Sequence, residues 1–193
     1  MLRRPNPSPQ LLTQIQCEVS RRTIELAARA RATPSPYPPP DVDLVEEWAG
    51  VHLQWGELLR FGQEGNGLPC LRGGWSGVEK NLVWSEGYSA QLVIPPFPAA
   101  VDSLLTVTAA AFTGQHDYQA VTLLANAAPV AAWQIGDLAP YYALLPAAPK
   151  GATKQSTHLS FQIANPCSPR MCGLSDDPRL LGLALHTIEV RPF

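Results

Sequence analysis

The chain from about Trp55 to Phe193 predicts an all-β fold, an antiparallel two-sheet β-sandwich of jelly-roll type, preceded by an amphipathic N-terminal helix. Three observations carry this. After Trp55, short alternating or continuous apolar runs recur, separated by Gly, Pro, Asn and Asp. Between those runs no insert is long enough to be a crossover helix, so the strands pair with each other. Charged residues make up only 16% of the chain against a usual quarter, which disfavours long solvated helices.

The elements divide into residues 1–32, 33–52 and 53–193. From Gln10 to about Ala32, Leu12, Ile15, Val19, Leu26 and Ala30 recur at three-, four- and seven-residue steps among Glu18, Arg21, Arg22, Glu25 and Arg29. That is an amphipathic helix. Ser8 or Pro9 opens it and Thr33-Pro34 closes it, because the residue before proline is driven out of helical geometry. Thr33 to Pro40 is a stiff extended spacer, since adjacent prolines hold φ near the polyproline value. Asp41 to about His52 follows as a capped turn of helix with Leu44, Val45 and Trp48 on its buried side.

Strands are then expected near Leu58–Gln63, Ala90–Ile94, Leu104–Phe112, Gln119–Asn126, Val130–Ile135, Tyr141–Leu145, His158–Ile163 and Leu183–Arg191. Asn126-Ala-Ala-Pro129 reads as a hairpin turn, and Pro95-Pro96-Phe97-Pro98 as a corner that cannot lie inside a sheet. Short strands of this kind favour a sandwich or jelly roll over a closed barrel.

Charge is unevenly placed. Residues 1–40 hold six arginines against Glu18 and Glu25, while the remainder has eight basic against fourteen acidic side chains. A basic arm on an acidic body can face nucleic acid, a lipid surface or the acidic surface of another protein, although arginines spread along one helix are more often a solvated face, and the lack of interleaved aromatics argues against nucleic acid. No run reaches the roughly 18 apolar residues of a membrane span. Residues Met1 to Pro9 have no apolar region behind their arginines, so no export signal is read and a cytoplasmic location is expected. Cys17, Cys70, Cys167 and Cys172 are then expected as free thiols. Cys167-Ser-Pro-Arg-Met-Cys172 is the one close pair, and without two further ligands it makes no zinc site. No cofactor is expected.

Two stretches carry unusual chemistry. Gly73-Gly-Trp75-Ser-Gly-Val-Glu79 is followed by Trp84-Ser-Glu86-Gly87, read as glycine-flanked loops. An indole exposed there can stack on a sugar face while Glu79 or Glu86 accepts hydrogen bonds from hydroxyls; alternatively both tryptophans plug one end of the sandwich. The second stretch, Gly173-Leu-Ser-Asp176-Asp177-Pro-Arg179, crowds three charges into a loop entering the last strand. Arg179 is expected to pair with a carboxylate such as Glu79 or Glu86. The candidate carbohydrate-binding residues are therefore Trp75, Glu79, Trp84, Glu86, Asp176, Asp177 and Arg179.

At these motifs, over about Phe61 to Val190, the chain resembles an uncharacterised bacterial β-sandwich domain that accompanies glycosyltransferases and other surface-polysaccharide proteins, similar to a carbohydrate-binding module. The resemblance implies a carbohydrate context and a glycan or glycosyltransferase-type partner. In that pattern a glycine commonly follows the hairpin asparagine, whereas here Ala127 follows Asn126.

Catalysis finds little support in the residues. Paired-carboxylate hydrolysis needs two acids roughly 5 to 9.5 Å apart across a cleft, which Glu79 or Glu86 with Asp176 or Asp177 would have to supply. Ser76, Ser85 and Ser175 lack a strand-turn-helix elbow, and His52, His116, His158 and His186 show no evident base partnership. No phosphate-cradling glycine motif opens a helix, and no EF-type calcium spacing exists. The expected function is a non-catalytic carbohydrate-recognition or accessory domain. The alternatives are an assembly protein that docks a partner or another copy through residues 10–32, and a carboxylate-based glycoside hydrolase.

Overall fold

Residues 52–98, 100–148 and 156–193 are described by the computed structural model, and they form strands in two antiparallel sheets. The expected helix at 10–32, the proline spacer and nearly all of the helical turn from Asp41 lie outside the described residues. One sheet contains β1 (Leu58–Arg60), β2 (Trp75–Val78), β3 (Val83–Glu86), β5 (Ser103–Ala111), β8 (Ala139–Leu145) and β10 (Leu181–Pro192). Its order is β2-β3-β10-β5-β8, with β1 pairing along β10. The second sheet, β4-β9-β6-β7, is built from β4 (Ser89–Ile94), β6 (Gln119–Ala125), β7 (Ala128–Ile135) and β9 (Thr157–Ile163). The row β3-β10-β5-β8 over β4-β9-β6-β7 is the connectivity of a jelly roll.

Period-two patterning sets the faces. Along β5, Ser103, Leu105, Val107 and Ala109 are buried while Leu104, Thr106 and Thr108 are partly exposed. Along β6, Gln119, Val121, Leu123 and Ala125 alternate inward in the same way. The inward residues of both sheets meet in one core, with Leu105, Val107, Leu183, Leu185 and Ile188 from one side and Leu92, Val121, Leu123, Leu159 and Phe161 from the other. Burial of such side chains contributes about 1.5–3 kcal/mol each, and a polar group among them must be paired.

The buried polar groups meet that condition. Gln119 donates from Nε2 to Asn165 O at 2.7 Å and to Phe112 O at 3.3 Å, and its Oε1 accepts from Asn165 N at 3.0 Å. Ser85 is fully buried, and its Oγ accepts from Leu183 N at 2.7 Å. That contact lies where the β3–β10 register shifts between Leu181 and Ala184, so the hydroxyl replaces a missing ladder partner.

Two expectations are corrected. The Trp75 and Trp84 stretches are not loops: they are strands β2 and β3, with Trp75 opposite Ser85 and Val78 opposite Val83. The β2–β3 pairing is bulged between Trp75 and Val78, and the chain before it passes close to β4. A β-carbon on Gly74 (φ +84) would lie 2.0 Å from Ser89 O, so only glycine passes there. The first expected strand ends at Arg60, because the chain turns after Phe61 and Gly65 N bonds Gly62 O at 2.8 Å. No helix among the described residues is long and apolar enough to cross a membrane.

Candidate functional site

Strand alternation decides where each tryptophan points. Val83 and Ser85 are buried, so Trp84 and Glu86 lie on the outer face of the six-stranded sheet. Trp84 stands opposite Ala184, which stands opposite Ala110, so the floor beside the indole is made of small side chains. The ring is partly exposed, and no acceptor among the described residues meets its N–H. Trp75 differs. It is half-buried, its Nε1 donates to Gln91 O at 2.6 Å, and its ring meets Phe161 edge-on at 6.0 Å. Trp75 therefore ties β2 of one sheet to β4 and β9 of the other.

Glu86, two residues along β3, shares the face of Trp84. Glu79 and Glu86 are exposed, and their backbones close the hairpin: Glu79 N donates to Leu82 O at 2.9 Å and Glu86 N to Gly74 O at 2.8 Å. Neither carboxylate has an ion pair among the described residues. The loop before β10 joins them, since Gly87 N donates to Leu180 O at 2.8 Å.

Arg179 pairs with Asp177 rather than with Glu79 or Glu86. Asp177 Oδ2 accepts from Arg179 Nη2 at 2.6 Å and from Nε at 3.0 Å, while Oδ1 accepts from the Arg179 backbone N at 3.0 Å. A partner two residues away reaches the guanidinium with little chain to order, which favours it over a carboxylate on another strand. Arg179 holds the Asp177 carboxyl below its ordinary value through these hydrogen bonds. In return the Asp177 hydrogen bond raises Arg179, against an opposing effect of burial, and the charges of Glu79 and Glu86 add to it. The guanidinium is thus within electrostatic reach of both glutamates. Asp176 is exposed and takes part through its carbonyl, which accepts from Arg170 Nη2 at 2.6 Å and Nε at 3.1 Å.

The β2–β3 hairpin thus carries a partly exposed ring and two carboxylates without ion pairs, and the clamped Arg179 lies within the field of both carboxylates. The two carboxylates are a poor hydrolytic pair. Glu79 and Glu86 belong to one hairpin, separated by about 13 Å of strand, and Asp177 is held ionised by Arg179. Among the described residues no group of three His, Cys, Asp or Glu is placed to hold a metal ion. Tyr88 was not among the expected residues. It is 52% exposed and follows Glu86 by two positions, and the only signal for it is an aromatic after Ser85-Glu86-Gly87.

No protein-family model matches the chain, and no curated protein matches it. Solved structures do. A carbohydrate-binding module CBM36 in complex with calcium and xylotriose is 11% identical, with 69% of this chain and 98% of that chain covered and a TM-score of 0.41. The CBM22-1 xylan-binding domain from Paenibacillus barcinonensis Xyn10C is 10% identical over 72% of this chain and 97% of that one, at a TM-score of 0.44. The mosquito-larvicidal Cry4Aa toxin from Bacillus thuringiensis is 7% identical over 74% of this chain and 24% of that one, at 0.47.

Proposed function

We propose that the sandwich is a non-catalytic glycan-recognition domain that contacts sugar through Trp84, with Glu86, Glu79 and the Asp177–Arg179 pair around it. The observation that carries this reading is Trp84 itself. An indole on an outer sheet face, partly exposed and without an internal acceptor, leaves a stacking surface and a donor unspent beside a floor of alanines. Glu79 and Glu86 offer acceptors to hydroxyls, and Arg179, oriented by Asp177, offers donors at fixed angles. Trp75 contributes by fixing the hairpin on which Trp84 sits, and Asp176 by its carbonyl. Tyr88 is a further aromatic in the same run of chain. The domain works beside glycan-building enzymes, as the motif resemblance implies, and residues 10–32 are the segment proposed to hold a protein partner or a second copy.

Titration of oligosaccharides of three to six units into the full chain, read by tryptophan fluorescence and seeded by a glycan array, tests the site. A saturable response should weaken at least tenfold in Trp84→Ala, about 1.4 kcal/mol, with little change in melting temperature. Binding that survives Trp84→Ala and Glu86→Gln unchanged, or the absence of any saccharide response, overturns the reading.

A further inference from the structure

Away from Trp84, the thiols of Cys167 and Cys172 face each other with their sulfurs 3.9 Å apart. Backbone contacts on both sides build this geometry. Cys167 exchanges two hydrogen bonds with Leu181, at 3.1 and 3.0 Å. Cys172 N donates to Ser168 O at 3.1 Å, and Met171 N to Ser168 Oγ at 3.1 Å, so the intervening turn is pinned. Both sulfurs rest against Gly114: a β-carbon there would lie 2.4 Å from Cys167 Sγ and 3.1 Å from Cys172 Sγ. Glycine thus leaves the room in which the two thiols meet.

The turn between the cysteines also braces the loop that carries Asp177 and Arg179. Arg170, inside the Cys167–Cys172 segment, donates from its backbone N to Asp177 O at 3.0 Å. Its guanidinium holds Asp176 O. Met171 and Leu174, on the same excursion, are 76% and 67% exposed.

We infer that Cys167 and Cys172 form a redox couple, closed to a disulfide by a hydroperoxide and reopened by a small thiol reductant, and that closure stiffens the loop holding Asp177 and Arg179. Burial, followed by the neighbouring Cys172, pushes the Cys167 thiol above its ordinary value. Cys167 is pinned to Leu181 by two backbone bonds, whereas Cys172 lies on the outer excursion between exposed Met171 and Leu174, so Cys172 is the sulfur that meets the peroxide first. The Cys172 thiolate attacks hydrogen peroxide; the S–O bond forms, the O–O bond breaks, and the departing hydroxide is protonated to water. The Cys167 sulfur then attacks the Cys172 sulfenic sulfur, the S–S bond forms, and the hydroxyl leaves as a second water with the Cys167 proton. Two thiols and one peroxide give one disulfide and two waters. Reduction by two thiol molecules returns the pair and releases their disulfide. The couple stands independently of any glycan bound at Trp84.

Trypsin tests it directly, because it cuts between Arg170 and Met171 and so separates the two cysteines. The full chain carrying Cys17→Ser is treated with one equivalent of hydrogen peroxide and digested without reductant. The expected result is one linked species, peptide Gln155–Arg170 joined to Met171–Arg179, that separates on reduction. Cys70 serves as the internal control: burial pushes its thiol up to about 11, and it should remain reduced. Sulfinic acid at Cys172 without the link, or a link to Cys70, overturns the couple. For the loop, chymotryptic cutting after Met171 and Leu174 should slow several-fold on oxidation, and Arg170→Ala should abolish the difference while a count of free thiols on the intact chain shows that the disulfide still forms. Equal cutting rates in the two redox states overturn the stiffening.

Discussion

Replacing Ala127 by glycine should make the domain more stable. The β6–β7 hairpin turns through Asn126 and Ala127, with Ala125 paired to Ala128, and both turn residues have positive φ, 47° and 66°. Positive φ at both positions is the geometry of a type I′ turn, whose backbone matches the right-handed twist of the strands. Asn126 is suited to it: its Oδ1 accepts from His158 N at 2.9 Å, and its own N donates to His158 O at 2.8 Å. Ala127 is exposed and has only a methyl group to place in the left-handed region, at about 1–2 kcal/mol. Glycine removes that strain but loses about 0.4–1 kcal/mol through its freer unfolded chain. The difference is a gain of about 0.5–1 kcal/mol, or roughly 2–3 °C for a domain of this size. Urea unfolding followed by the fluorescence of buried Trp133, which lies on β7, should show a higher midpoint at unchanged slope. Ala128→Gly, just past the turn, should lower the midpoint instead. A lower or equal midpoint for Ala127→Gly would mean that the turn is not left-handed, and would refute the reasoning.

Ser85→Ala should cost about 1–3 kcal/mol, because it leaves the buried Leu183 N–H without its acceptor; retained stability would show that water reaches the bulge. Trp75→Ala should lower stability by about 2–3 kcal/mol in the same urea assay, since it removes the Phe161 contact and the bond to Gln91 O. The two strand histidines set an acid limit. Burial lowers His186, and burial with Arg72 lowers His158. Between the ordinary imidazole value of about 6.5 and these lower native values, the unfolded chain binds protons that the native chain does not. Stability is therefore complete above about pH 6.5 and falls as pH drops through that window; His186→Gln should flatten the fall, and an unchanged slope would remove His186 from the account.

What was legible in the sequence follows one physical rule. Strands β4 to β10 alternate apolar and polar residues, or run continuously apolar, and each is found where an expected strand lies. The β2–β3 hairpin was hidden because Gly73, Gly74 and Gly77 interrupt the pattern. Of these, Gly74 is required by a close crossing at Ser89, a reason that lies on a neighbouring strand. The two tryptophans show the same limit: nine residues apart and similarly flanked, they read as equals, until pairing put Trp84 outward and Trp75 against Phe161.

By itself the sequence determined an antiparallel all-β body, the hairpin at Asn126 and the close spacing of Cys167 and Cys172. Local period, turn chemistry and composition are written in neighbouring residues, so they need no partner to be read. Only the tertiary structure decided which tryptophan faces out, that Arg179 closes on Asp177 with Glu79 and Glu86 within its field, and that Cys167 and Cys172 meet over Gly114. The facing of the tryptophans and the meeting of Gly114 with the two cysteines depend on strand register and on contacts between segments tens of residues apart, where a shift of one residue reverses every side chain, whereas Arg179 and Asp177 are a local pair that wins over distant carboxylates.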